Sequence, residues 1–250
     1  MKQSIKYLAI CLTVIYLFTP TSATAQMFSV EPQRQQTSFV PDMAINFGIS
    51  YMNFAHRGSA ITGGQPGNNV GQTFEFSEPL YHVSIDMVGF SAYGLFGRSL
   101  GDFNNSYSQV GASIGNSIGL INSSAFRVLL PLKLSSDYVI VRNNDIFANQ
   151  EFKQNTFGIH SGLEMRARLS QKVRFLVSGS GGYSFSVSGF GNSGGTATDL
   201  GLKNKLYFDA IYRQYGLVIG VELNSRKYKL DDARYDHLAT QQSITLGITF

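Results

Sequence analysis

The last eight residues of the chain alternate strictly between large apolar side chains and small or polar ones. The two sets are Ile244, Leu246, Ile248 and Phe250 against Ser243, Thr245, Gly247 and Thr249. Because successive side chains of a β-strand point to opposite faces, the pattern predicts a strand with one fully apolar face. The chain also stops on an aromatic residue of that face, which a sheet in water rarely needs.

An apolar strand that ends on an aromatic residue is typical of the closing strand of a bacterial outer-membrane barrel. Such strands carry an outward apolar row and end in a girdle of aromatic residues at the membrane surface. The closing stretch, with Phe250 at its end, resembles the terminal signal by which outer-membrane proteins are recognised for insertion. We therefore predict an all-β fold, an antiparallel transmembrane up-and-down β-barrel.

The N-terminus has the three parts of a secretory signal peptide. Lys2 and Lys6 precede an apolar stretch at residues 7–18, and Ala23-Thr24-Ala25 forms an A-x-A cleavage site. The apolar stretch is shorter than the roughly 20 residues that a spanning helix needs. A lipoprotein signal around Cys11 is disfavoured, because Ile10 is bulky and Cys11 lies inside the apolar stretch. We expect residues 1–25 to be removed, 26–42 to be a periplasmic lead-in and 43–250 to form the barrel.

Composition supports this class of protein and excludes others. The chain has 26 glycines, 13% aromatic residues and only 14% charged residues. No apolar run after residue 25 reaches the length of a membrane-spanning helix. The net charge of +4 is small and includes Lys2 and Lys6 of the leader, so nucleic-acid binding is not expected. Removal of the leader also removes Cys11, the single cysteine, so no disulfide is expected.

Alternating segments follow one another from residue 43 to the C-terminus, separated by turn-forming residues. They cover about residues 43–54, 80–98, 106–121, 125–134, 138–143, 152–169, 173–187, 206–212, 217–223 and 243–250. The apolar parity slips at Val88-Gly89-Phe90, which predicts a bulge or a glycine kink within one strand. It reverses again near Arg213, which predicts a turn at residues 213–216, with a bulge as the alternative.

The strand number depends on which polar segments are turns. A secreted barrel with both ends in the periplasm needs an even number of strands. Ten strands result if the periplasmic turns include Ser135-Ser136-Asp137, residues 170–171 and residues 213–215. In that arrangement the long loops after residues 55, 142, 189 and 224 face outward. Eight strands result if residues 125–142 and 206–224 are single strands, which places long loops on the periplasmic side. We favour ten strands, with eight as the alternative.

The alternation alone also fits a soluble, lipocalin-like barrel with the two faces exchanged. In that barrel the apolar row would line a ligand cavity and the polar row would face water. The polar rows here are rich in Gly, Ser and Thr with occasional Arg and Glu, which suits a narrow wet lumen. A row exposed to water would carry many more Lys and Glu residues, so we favour the membrane barrel.

Three short motifs resemble the outer-membrane β-barrel domain family common in Bacteroidetes. Residues 128–134, with Pro131 inside an apolar strand, resemble the family's "iPll.ky" stretch. The Gly-rich residues 179–183 and the final residues 246–250 also look similar to sequences of this family. The resemblance spans residues 43–250. It implies a small barrel of eight to ten strands in the outer membrane of a Gram-negative bacterium and implies no particular activity. Some related barrels belong to protein-secretion machinery.

His82 and Ser84 are weak candidates for a catalytic pair. Their H-x-S spacing occurs in outer-membrane phospholipases and lipid A deacylases, where the histidine is the base and the serine is the nucleophile. Those enzymes follow the serine with Asn and present the pair to lipid. In this chain Ile85 follows the serine, and Val83 and Ile85 occupy the lipid face, so His82 and Ser84 point into the lumen. The structural interpretation, lumen-filling polar residues, is favoured.

A row of charged side chains is predicted to cross the lumen. The inward positions comprise Asp86, His160, Glu164, Arg166, Arg168, Arg174, Asp209 and Glu222. Buried charges persist when they are paired, so we expect an ion-pair network that holds the barrel, with a selective pore lining as the alternative. The four histidines are scattered singly, and we expect no metal and no cofactor.

We expect a non-enzymatic outer-membrane barrel with a structural or surface-binding role through its extracellular loops. A lipid-modifying acyl hydrolase that uses His82 and Ser84, and a small channel with a narrow lumen, are the alternatives. The expected partners are outer-membrane lipid and lipopolysaccharide, and the barrel-assembly machinery during insertion. A surface ligand of unknown identity or a secretion-machinery partner completes the expected set.

Overall fold

A computed structural model of the protein describes residues 39–58, 72–99, 105–145, 148–186, 194–230 and 237–250. The ten strands are β1 (Met43–Gly58), β2 (Gln72–Met87), β3 (Phe90–Arg98), β4 (Asn105–Asn122), β5 (Phe126–Asp145), β6 (Ala148–Arg168), β7 (Val173–Ser186), β8 (Gly195–Tyr212), β9 (Tyr215–Leu230) and β10 (His237–Thr249). Each strand pairs antiparallel with its neighbours in sequence, and β10 pairs with β1, so the sheet closes into a barrel. The predicted antiparallel up-and-down barrel of ten strands is confirmed. The predicted leader lies outside the described residues.

The described residues contain no helix that is long and apolar enough to cross a membrane.

Side-chain alternation divides the strands into an outer face and a lumen face. On β10, buried and exposed residues alternate along the strand. Ile244 and Leu246 are exposed on the outside, whereas Ser243 and Thr245 are 2% exposed inside. The faces follow from the two-residue period of the strand, and they are those predicted from the sequence.

The two ends of the barrel differ in their connections. One end, which we call the short-turn rim, joins strands through residues 88–89, 123–125, 169–172 and 213–214. It also carries both ends of the barrel domain, because the Phe250 amide donates a hydrogen bond to the Met43 carbonyl at 3.0 Å. The connections at the opposite end, the loop rim, lie outside the described residues.

Most strands reach further toward the loop rim than predicted. Segments predicted as loops belong partly to strands: β2 begins at Gln72, β8 begins at Gly195, β9 continues to Leu230 and β10 begins at His237. The predicted loops at residues 56–79, 189–204 and 224–240 were therefore too long. The described parts of these segments, such as residues 195–204 and 224–229, have the composition of loops, but their side chains face the lumen or the outer face of the barrel.

Two errors in the predicted strand boundaries leave the count of ten unchanged: one strand was divided in two, and two strands were joined into one. Ser135-Ser136-Asp137 is not a turn but the middle of β5, where Ser135 and Asp137 hydrogen-bond with lumen side chains. The irregularity at Val88-Gly89-Phe90 is not a bulge within one strand but the turn between β2 and β3. Gly89 has a φ of 78°, a backbone conformation that glycine adopts without strain.

The reversal of parity between β8 and β9 is produced by a turn together with a bulge. The turn at Arg213, which has a φ of 55°, is the predicted one. The pairing of β8 with β9 also shifts between Phe208 and Tyr212, so both predicted alternatives are present.

Candidate functional site in the barrel lumen

Aromatic side chains fill the lumen near the loop rim. Phe54, Phe76, Tyr107, Phe152 and Tyr228 come from five strands, and each is at most 1% exposed. The ring centroids of Phe54 and Phe152 are 5.0 Å apart, and those of Phe152 and Tyr228 are 5.3 Å apart. We call these five residues the apolar plug. Because its rings pack against one another in the lumen, the plug closes the barrel toward the loop rim.

The short-turn rim is closed by the segment that precedes β1. Phe39 is 4% exposed and lies between two arginines, with the Arg127 guanidinium 4.6 Å and the Arg168 guanidinium 5.4 Å from its ring centroid. Such cation–π contacts are favourable, more so where water is excluded. Val40 packs against a second buried apolar cluster inside this rim, formed by Ala44, Leu176, Tyr207 and Val218.

Between the two closures lies a cavity of about 480 Å³. Its upper wall includes Tyr107 and Tyr228 of the apolar plug, and its lower wall includes Val40. Acidic and basic side chains line it in about equal numbers: Asp86, Asp137, Glu164, Asp199 and Glu222 with Arg127, Lys133, Arg166, Lys203 and Arg226.

A first ion cluster bridges opposite walls of this cavity. Lys205 of β8 contacts Asp86 of β2 at 2.5 Å, and Lys203 contacts Asp86 at 3.0 Å and Glu222 at 3.2 Å. Asn46 donates a further hydrogen bond to Asp86 at 2.8 Å. The Lys205 side chain is 1% exposed. Removal of one partner would leave a buried charge unpaired, so the cluster fixes the distance between strands far apart in the sheet.

A second ion cluster lies beneath the apolar plug. Arg226 of β9 donates to Asp137 at 3.0 Å and also to Asp199, and Tyr93 donates to Asp137. The Arg226 and Asp137 side chains are 12% and 4% exposed.

A short hydrogen-bond chain joins this second cluster to the plug. Gln109 donates to the Tyr93 hydroxyl at 2.6 Å, and Tyr107 donates to Gln109 at 2.7 Å. Since Tyr107 belongs to the plug, the cluster and the plug form one connected structure.

The residues predicted to form one lumen network lie in several groups. Asp86 and Glu222 belong to the first cluster, Arg166 contacts Glu164 at 2.6 Å, and Arg174 pairs with Asp209 near the short-turn rim. His160 makes a hydrogen bond with Ser135 at 2.8 Å, and Arg168 contacts Phe39.

The lumen residues that the sequence analysis missed are Asp137, Asp199, Lys203, Lys205 and Arg226. Four of them, all except Lys205, fell in segments predicted to be a turn or a loop. The signal that could have found them is parity: Lys203 and Lys205 share the parity of Asp209, and Arg226 shares that of Glu222.

His82 and Ser84 both face the lumen but do not form a catalytic pair. The Nδ1 atom of His82 lies 3.2 Å from the Ser50 hydroxyl, and Ser84 accepts a hydrogen bond from the Asn46 amide at 3.1 Å. The histidine and the serine do not hydrogen-bond to each other, so the base is not placed to activate the nucleophile. Both are at most 8% exposed.

No group of three or more potential metal ligands occurs within the ranges of the chain that the structure describes.

Near the loop rim the outer face carries charged side chains. Arg142 contacts Glu151 at 2.8 Å, and Lys153 contacts the same carboxylate at 3.4 Å. Partial burial acts to raise the pKa of the Glu151 carboxyl, but the hydrogen bond and the charge of Arg142 act against it. The resulting pKa lies below the ordinary value.

No protein-family profile matches the chain, so membership of the Bacteroidetes-type family stays a prediction. No curated protein matches it either. Among solved structures, the chain is similar to Ail, the attachment invasion locus protein of Yersinia pestis, solved with the heparin analogue sucrose octasulfate. The two are 15% identical over 83% of this chain and 97% of that one, with a TM-score of 0.27. It is also similar to the CymD monoaromatic hydrocarbon channel, at 10% identity over 84% of this chain and 89% of that one, with a TM-score of 0.25.

Proposed function

We propose that the protein is an integral outer-membrane β-barrel of a Gram-negative bacterium with a lumen closed at both ends and a non-enzymatic, structural or surface-binding role. The observation that carries the proposal is the outer face, where large apolar side chains are exposed on all ten strands. Soluble monomers rarely expose apolar patches larger than a few hundred Å². A continuous apolar belt of this kind needs a lipid environment.

The height of the apolar belt fits a bilayer. On β6 and the residue after it, exposed apolar side chains run from Phe157 to Leu169. At about 3.3 Å per residue and a strand tilt of about 40°, these positions span about 30 Å along the barrel axis, close to the apolar band of about 25 Å of outer-membrane barrels. Above the belt, outward positions such as Glu151, Lys153 and Lys229 are charged, as is expected for the side that leaves the membrane.

The lumen supports a role other than free diffusion. The apolar plug closes one end, and Phe39 with its two arginines closes the other. The ion clusters join distant strands and leave no uniform polar lining such as a wide pore has. The geometry thus favours a rigid barrel that supports its loops, which would carry binding to a surface ligand or a secretion-machinery partner.

The proposed partners during and after assembly follow from the same location. Lipid and lipopolysaccharide would surround the apolar belt, and the barrel-assembly machinery would recognise the terminal strand. Phe250 is 46% exposed on the outer face, and its ring packs edge-on against Tyr215 with the centroids 5.4 Å apart.

The test is a gel of the outer-membrane fraction, run with and without boiling. We expect a change of migration on boiling, because folded outer-membrane barrels resist detergent until they are heated. Replacement of Phe250 by Ala should lower the amount of folded protein. The same change at Phe185, an outward residue at the loop-rim end of β7, should have a smaller effect. Soluble protein without a shift would contradict the proposal.

A further inference from the structure

We propose that the lumen cavity opens sideways through the barrel wall at the β2–β3 hairpin and that this opening binds an anionic single-chain amphiphile through Lys133. The inference rests on the proposed function, since the ligand would enter from the lipid phase.

The opening arises from unequal strand lengths. Strand β3 has 9 residues and β4 has 18, and their pairing stops at Phe90 and Ile114. The Gly115 amide still donates a hydrogen bond to the Gly89 carbonyl at 2.9 Å. From Asn116 to Asn122, β4 pairs with β5 but with no second strand among the residues that the structure describes. The wall therefore has a step below the β2–β3 turn.

The upper edge of this step is bare backbone. Gly89 and Gly115 meet there, and a Cβ atom at position 115 would lie 2.1 Å from the Leu132 carbonyl oxygen. No side chain can be added at Gly115 without displacing β5, so nothing at this point fills the space between the hairpin and β4.

The lumen cavity reaches the step. Its lining includes Met87, Val88 and Phe90, whose side chains are 48%, 70% and 41% exposed on the outer side of the hairpin. The same cavity is lined from within by Ser117 and Lys133. The same three residues thus border the cavity and are exposed outside, which places the proposed opening at this hairpin and gives it an apolar outer edge.

Lys133 lies directly behind the opening. It is the partner of Gly115 across the β4–β5 pairing, its side chain is exposed to the cavity, and it shares the lumen face of β5 with Asp137. Lys203 and Lys205 are paired with carboxylates, but no described residue forms an ion pair or a side-chain hydrogen bond with the Lys133 ammonium. A cation in a lumen of otherwise paired charges attracts an anion.

The surroundings of Lys133 define the ligand. His160 is the partner of Lys133 in the β5–β6 pairing and hydrogen-bonds with Ser135, so a head group held by the ammonium would meet further polar atoms. An alkyl chain would leave over Met87, Val88 and Phe90. A cavity of about 480 Å³ is in the lower part of the range of small-molecule sites, roughly 300–1,000 Å³, which favours one chain over two.

Native mass spectrometry of the full-length protein, released from neutral detergent micelles and titrated with dodecanoate, tests this site. We expect one bound dodecanoate per chain, and binding at least tenfold weaker for dodecanol, which has the chain without the charge. Lys133→Gln should weaken dodecanoate binding at least tenfold. Lys172→Gln, which alters an exposed lysine at the short-turn rim, should change it less than twofold.

Ser117→Trp provides a second variant that blocks the opening and leaves Lys133 in place, and it should also weaken binding. Equal binding by the wild type and Lys133→Gln, equal binding of dodecanol, or preference for two-chain phosphatidylglycerol would each overturn the assignment. The boiling-dependent gel shift is measured on every variant. A wild type that shifts but binds no dodecanoate refutes this site alone, whereas a wild type that is soluble and shows no shift refutes the proposed function.

Discussion

The loop-rim end and the middle of the lumen are built in opposite ways. Near the loop rim the interior is an apolar plug of five aromatic rings, each at most 1% exposed. In the middle, the interior side chains are charged: Lys205 is 1% and Arg226 is 12% exposed, and each contacts carboxylates. Packing holds the first region, and charge pairing holds the second.

The two regions therefore have different roles: the aromatic region closes the barrel, and the charged region can change its binding partners. Aromatic rings in mutual contact exclude water and leave no group that a ligand could replace. An ion cluster beside a cavity can exchange a partner, and Lys133, which lines the same cavity, forms no ion pair with any residue that the structure describes. The plug thus explains why the barrel is closed, and the charged middle explains where it could bind something.

The largest expected loss follows from truncation in the plug. Phe152→Ala removes a ring packed against Phe54 and Tyr228 and leaves a void, which should lower the free energy of unfolding by about 3–5 kcal/mol. Urea unfolding of the protein in lipid vesicles measures this change.

The matched control is Phe157→Ala, on the same strand but 48% exposed on the outer face. It should lose the transfer of the ring from water to lipid and a ring contact with Phe185, about 1.5–3 kcal/mol, without a cavity contribution. Equal losses in the two variants would show that the plug is not close-packed.

A somewhat smaller loss is expected from Arg226→Gln. The change leaves Asp137 and Asp199 buried without their cation, and the unpaired charges should cost about 3 kcal/mol in the same unfolding experiment. Addition of Asp137→Asn should recover part of the loss, because it removes one of the two negative charges. The neighbouring Lys227→Gln, on the outer face, should stay within about 0.5 kcal/mol of the wild type. No recovery in the double variant would contradict the pairing.

The smallest effect is expected for the exposed pair of Arg142 and Glu151. A double-mutant cycle on these residues should give a coupling energy of about 0.2–1 kcal/mol, because both side chains are exposed to water. The pKa of Glu151 is lowered in the folded protein, so its contribution is present above the ordinary pKa of a glutamate. It is lost as the pH falls through the lowered value. A coupling that grows as the pH falls would have the wrong sign.

The fold could be predicted because the outer face is simple. Even residues of β10 and odd residues of β9 are apolar over the belt, so the two-residue period of a strand separates the two faces of both strands. The lumen could not be predicted in full, since the composition of its residues is like that of loops and turns. Ser135-Ser136-Asp137 has turn composition, yet Asp137 is required in the lumen by Arg226.

The strand ends near the loop rim were not predicted, because their composition also resembles that of loops. Phe76 and Tyr228 lie in segments whose polar neighbours suggested loops, so the apolar plug was missed altogether. Only the pairing of strands reveals that these rings converge. The short β3 and the opening below it likewise depend on pairing, because Val88-Gly89 reads equally well as a kink or a turn.

The most direct test of the account is the environment of the outer face, measured by spin-label accessibility in lipid vesicles. Single cysteines at Ile219 and Leu246, in a Cys11→Ser background, would carry the label on the outer face, and one at Ser180 would carry it toward the lumen cavity. We expect the two outer labels to be relaxed by oxygen dissolved in lipid and not by a water-soluble nickel complex, and the Ser180 label to be less accessible to lipid-borne oxygen. Outer labels that respond mainly to the nickel complex would contradict a membrane barrel.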